Sequence, residues 1–190
     1  MNSDRMLIVR DAPRELFTES ELSIAHSFKL AKRRDEWLLS RGAAKQLALR
    51  LGLASDPRKV RVERPALVID GVPTEWYVSL SHSPPYAAAA IDRQPVGIDI
   101  QIVREFAEAA AHLFLSDEET EAMRGCTLAH RVLHFWCAKE AAWKQRSSEL
   151  TTMKQLPIRL VSASESGLIF DVVETTAMGD LLVALTRPIS

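Results

Sequence analysis

The chain of 190 residues changes its hydrophobic period again and again, and that alternation narrows the fold to a few architectures. "MLIVR" at 6–10 reads as a short strand, stopped by Pro13. From about Glu19 to Leu53, Leu22, Ala25, Phe28, Trp37, Ala44, Leu47 and Leu51 recur at three-to-four spacing, which predicts helix closed by Gly52. From residue 58 the texture becomes short β-type runs, "VRVE", "ALVI", "YVSLSHS", "YAAAAI" and "VGIDIQIV", parted by Pro, Gly and Asp. Helix then returns: Ser116 and Glu119 fit a capping box, and a longer helix is predicted from about Leu128 to Arg146. "IRLVSA", "LIFDVVE" and "LLVALT" close the chain as strands, with Gly167 and Gly179 between them. The order predicts an α+β protein of two similar halves, 1–95 and 96–190, meeting near "DRQPVG" at 92–97. No residue-level repeat is visible between them.

Composition excludes several classes. A chain 47% hydrophobic and 26% charged is globular, and a net charge of −1 offers no general case for nucleic acid or membrane partners. Cys126 and Cys137 lack zinc-type spacing and read as free thiols of a reducing compartment. The first residues carry acid and only a short apolar run, unlike a signal peptide, so a cytoplasmic location is expected. The neutral total conceals a basic concentration: Lys29, Lys32, Arg33, Arg34, Arg41, Lys45 and Arg50 all fall within the first long helical stretch.

Three segments could carry chemistry. In "VGIDIQIV", Asp99 and Gln101 share one strand face while Ile98, Ile100 and Ile102 share the other. An acid in so apolar a strand must be solvated, paired or bound to a cation. In "SLSHS", His82 stands at a strand end before Pro84-Pro85, where it is either a turn histidine or a phosphate contact. A Ser–His catalytic pair is disfavoured, because adjacent strand residues point apart and no nucleophile-elbow motif is present. In "FWCAKEAAWK", Trp136, Glu140 and Lys144 form one helical stripe: a surface ion pair, or an acid and a base in a cleft wall. His130 and His134 stand four apart without the glutamate or third ligand of a zinc site.

Taken in order, "SLSHS", "VGIDI" and "FWCAKEAAWK" resemble the surfactin-type 4′-phosphopantetheinyl transferases, and "KRRDEWLLSRGAAKQLAL" resembles the family's basic helical region more loosely. The resemblance spans most of the chain and implies a pseudo-twofold pair of α+β subdomains for which a monomer suffices. It implies Mg²⁺-dependent transfer of the phosphopantetheine arm of coenzyme A to a serine of an acyl or peptidyl carrier protein. Asp99 and Glu140 then match metal ligands, with Glu140 also the candidate base. His82 and Arg64 match contacts to the coenzyme A phosphates, with Lys32, Arg33 and Arg41 as weaker matches. Lys144 matches a pyrophosphate contact, and Lys139 completes the motif as a further binding residue. At Gln101 the family commonly has an acid; an amide oxygen can still ligate Mg²⁺ but brings no charge. The competing expectation is a protein that binds coenzyme A or a carrier without transfer.

Overall fold

A computed structural model describes residues 3–146 and 152–188. The chain divides into two compact units, Asn2–Pro95 and Val96–Ser190. Each is a five-stranded antiparallel sheet covered by one long helix, so the α+β class and the pairing of similar subdomains are what the structure shows.

In the first unit, β1 (Met6–Val9) is followed by α1 (Glu19–His26) and α2 (Ala31–Arg50), then β2 (Val60–Glu63), β3 (Ala66–Ile69), β4 (Val72–Ser83) and β5 (Tyr86–Asp92). The sheet order is β1-β5-β4-β3-β2. The helical stretch predicted from 19 to 53 is two helices. α1 is started by a Thr18–Glu21 capping box and ends at Ser27, and α2 begins afresh after an extended Leu30. Gly52 stands at a positive φ of 69° just beyond α2, as a helix-ending glycine should. Ala43, Ala44, Leu47 and Ala48 of α2 bury one face on Val78, Leu80, Ala89 and Ile91 of the sheet.

The second unit repeats the plan. It runs β6 (Ile98–Ile102), α3 (Asp117–Gly125), α4 (Arg131–Gln145), β7 (Leu160–Ala163), β8 (Leu168–Phe170), β9 (Val173–Met178) and β10 (Leu181–Thr186). The sheet order is β6-β10-β9-β8-β7, the same topology strand for strand. The run "LIFDVVE" therefore holds two strands parted at Asp171–Val172. Ser116 and Glu119 form the predicted capping box. α4 starts later than predicted because His130 takes a left-handed conformation, φ 55°, in front of it. Phe135, Ala138 and Ala141 of α4 join Leu168, Phe170, Leu182 and Ala184 in the core.

Among the described residues, no helix is long and apolar enough to cross a membrane.

Candidate functional site

The second unit gathers Asp99, Gln101, Glu140 and Lys144. Asp99 and Gln101 share a face of β6, as strand alternation requires, and across the ladder they pair with Ala184 and Leu182 of the core cluster beneath α4. At Asp99 that face is closed to water, the residue being 2% exposed, while Gln101 is half-buried. A carboxylate there must be paired. Lys144 donates to Asp99 Oδ1 at 2.7 Å and to the Ile98 carbonyl at 3.1 Å, while Gln101 Nε2 donates to Asp99 Oδ2 at 3.0 Å.

Gly97 makes this approach possible. A Cβ at Gly97 would lie 1.9 Å from the Ala141 carbonyl oxygen, a distance no side chain tolerates, so only glycine lets α4 pass so close to the start of β6. At this crossing the "GID" strand meets the second half of "WCAKEAAWK". Trp136 secures the other end of the stripe, stacked on Phe106 at 5.7 Å between centroids and edge-on to Phe114 at 5.0 Å.

Glu140 is half-buried on the same stripe as Lys144. Burial raises its affinity for a proton; the Lys144 charge opposes that rise and the Asp99 charge adds to it. Cys137 is fully enclosed nearby, and burial together with the Asp99 charge pushes its thiol well up, which makes it an inert neighbour. Two carboxylates held close, with an amide oxygen able to turn inward, fit a hard divalent cation that keeps part of its water shell. No group of three or more His, Cys, Asp or Glu suited to a metal occurs among the described residues.

The first unit gathers the candidate anion contacts in two places. A cavity of about 450 Å³ between α2 and the β4–β5 hairpin is lined by Lys32, Asp35, Glu36, His82, Pro84 and Tyr86, among others. There Glu36 faces both His82 (Nε2 to Oε2, 3.3 Å) and Lys32 (3.8 Å). Arg41 lies over the Trp37 ring at 4.0 Å. Its guanidinium is lowered to about 10, first by burial and then by the like charge of Arg64, with Glu21 opposing. Lys32 and His82 thus come together, as do Arg41 and Arg64. Arg33, whose guanidinium lies 5.5 Å from the Phe28 centroid, is not in the cavity lining.

Lys139 requires a correction. It is 0% exposed, pairs with Glu119 at 2.8 Å and donates to the Leu156 carbonyl, so its ammonium is enclosed in protein and has no room for a phosphate. Lys45 and Arg50 leave the basic cluster for the same kind of reason: Lys45 is buried against Glu21, and Arg50 donates to backbone carbonyls of Asp4 and Met6. Of the histidine pair, His134 is buried against the Thr175 hydroxyl, Nδ1 to Oγ1 at 2.8 Å.

The sequence reading missed Glu36, Glu21 and Glu119 as partners. Glu36 stands four residues after Lys32, and each of the other two is the third residue of its helix, closing a capping box; both are legible signals.

Residues 95–178 match the family model described as the 4′-phosphopantetheinyl transferase superfamily, a segment that falls almost entirely within the second unit. The matched segment contains Gly97, Asp99, Gln101, Glu140 and Lys144 together. No curated protein matches the chain.

Proposed function

We propose that the chain is a 4′-phosphopantetheinyl transferase of the surfactin type. It would move the phosphopantetheine arm of coenzyme A to a carrier-protein serine and release 3′,5′-adenosine bisphosphate. One observation supports this above the rest: within a segment of transferase type, a buried aspartate is held against the Glu140–Lys144 stripe of α4.

In this reading the serine hydroxyl oxygen attacks the phosphorus that carries the pantetheine. A P–O bond forms as the bridging P–O bond to the adenosine bisphosphate breaks. The serine proton passes to Glu140, whose burial gives it more affinity for a proton than a solvated glutamate has. Lys144 stands beside Asp99 and supplies positive charge for the oxygens of the pyrophosphate. Asp99 and Glu140 would hold Mg²⁺, with Gln101 turning its carbonyl inward; the metal, when bound, neutralises phosphoryl charge. Arg41 and Arg64 form the better dianion contact, because an anion lying between them would relieve the repulsion of the two like charges. His82 and Lys32 face a cavity that also holds Asp35 and Glu36, so they suit a ligand group with donors as well as negative charge.

The test is transfer of a fluorescent pantetheine arm from labelled coenzyme A to a promiscuous carrier protein, with and without Mg²⁺, beside Glu140→Ala. Mg²⁺-dependent labelling should appear and should fall at least about a hundredfold in the variant. Absence of labelling across a panel of carriers, with coenzyme A still bound, would instead favour the second reading, a coenzyme A-binding protein without transfer. Gln101 is the observation behind that alternative, since it brings an amide donor to Asp99 where an acid would bring charge. Gain of transfer in Gln101→Glu from a silent wild type would decide for it.

A further inference from the structure

Glu119 and Glu21 do more than cap their helices. Glu119 Oε2 accepts from the Ser116 amide at 2.8 Å, while Oε1 accepts from the Ile158 amide at 2.8 Å and pairs with Lys139 at 2.8 Å. Glu21 Oε2 accepts from the Thr18 amide at 2.9 Å, while Oε1 pairs with Lys45 at 3.0 Å. Lys45 completes its three donors on the carbonyls of Pro57, at 2.9 Å, and Val60, at 2.5 Å. Both lysines are 0% exposed. The same lock therefore ties the short helix, the long helix and the segment that follows the long helix in each unit.

The locks also share a register. Five residues after each lysine comes a cation that bonds the first residue of its own unit's first strand: Arg50 to the Met6 carbonyl, Lys144 to that of Ile98. Counting from these anchors sets Leu7 against Asp99, Val9 against Gln101 and Gln46 against Glu140.

A buried ion pair contributes little net stability over apolar residues of similar volume; what it supplies is a defined orientation. Lys139 and Glu140 are neighbours on one helix, about 100° apart around its axis. A rotation of α4 large enough to carry Glu140 away from Asp99 would pull Lys139 off Glu119 and the Leu156 carbonyl. We propose that Lys139 is a positioning residue for Glu140: its pair with Glu119 sets the rotation of α4 that brings Glu140 and Lys144 to Asp99. This rests on the reading of Asp99 and Glu140 as metal ligands. Lys45 holds α2 in the same way, but the residue after it is Gln46, so that lock has no carboxylate to place.

The matched locks allow a controlled experiment. Lys139→Met/Glu119→Gln and Lys45→Met/Glu21→Gln each replace a charged pair with a neutral one that keeps a carbonyl for the cap. Mn²⁺ affinity is read by electron paramagnetic resonance, beside melting temperature and the kcat for transfer. The Lys139 double variant should weaken Mn²⁺ binding and lower kcat by about tenfold or more, as loss of a group that orients a metal ligand does. The two double variants should change the melting temperature alike, yet the Lys45 variant should keep its Mn²⁺ affinity within about twofold of wild type. Equal effects on Mn²⁺ in both variants, or none in the first, would overturn the proposal and leave the lock a purely structural feature. Should the double variant not fold, Glu119→Asp, which keeps the Lys139 charge compensated but shortens the reach of its partner, carries the same reading. A wild type that binds Mn²⁺ but transfers nothing would sink the transferase reading and leave this test standing; a wild type that binds no Mn²⁺ overturns the proposal itself.

Discussion

Glu140 is the residue whose neighbours can be tested one at a time. In the metal-free protein its protonation midpoint should lie above the ordinary glutamate value of 4.5, because burial disfavours the carboxylate. Asp99 also favours the protonated form and Lys144 the ionised form. Asp99→Asn should therefore bring the midpoint down, and Lys144→Met should push it further up, as read by the carboxyl carbon shift in a ¹³C NMR titration. Opposite movements would mean that the stripe is arranged differently from the structure described. At this scale the sequence was informative about identity and poor about partners. Asp99 stood out because an acid in an apolar strand needs an explanation. That its partner is Lys144, forty-five positions away, depends on where α4 crosses β6, which no local pattern contains. Lys139 misled for the same reason: it sits beside Glu140 in the string, yet helical geometry sends it toward Glu119.

Elements were legible wherever their signals are local. The capping box at Ser116, the glycine after α2 and the alternating runs that became strands all act within a few residues. The break between α1 and α2 went unread, because apolar spacing continues through Phe28 and Leu30 while the end of α1 at Ser27 and the extended Leu30 divide the helix. The crossing of α4 over β6 is an element-scale property with a single weak point. Gly97→Ala would place a methyl group 1.9 Å from the Ala141 carbonyl oxygen, so helix and strand must part. A loss of about 2–3 kcal/mol in unfolding free energy is expected, in the range of overpacked core sites. Transfer should fall about a hundredfold, since positioning errors near 1 Å cost that much. A variant with wild-type urea midpoint and activity would show that the crossing is looser than the backbone distances indicate.

For the whole molecule, acid response is the sharpest expectation. His134 is lowered from 6.5 to about 4, mainly by burial and further by the charge of His130. An unfolded chain takes up the proton near pH 6.5, whereas the folded chain resists until about pH 4. Folding stability should thus be flat with respect to this residue above pH 6.5 and decline between 6.5 and about 4, by about 3 kcal/mol in all. Urea unfolding across that window should show a steeper decline for wild type than for His134→Asn; parallel curves would assign the acid sensitivity elsewhere. The division into two units was visible in the order of textures, while their shared strand order was not, because sheet pairing is decided by contacts distant in sequence.

The shared register of the two locks has one more consequence. If Leu7, Val9 and Gln46 stand where Asp99, Gln101 and Glu140 stand, then among these corresponding positions only the second unit's carry the carboxylates that the proposed reading assigns to an ion. An equilibrium count of tightly bound divalent cation should then stop at one per polypeptide. At the corresponding positions of the first unit the demand is packing instead: Leu7 and Val9 lie against its apolar core.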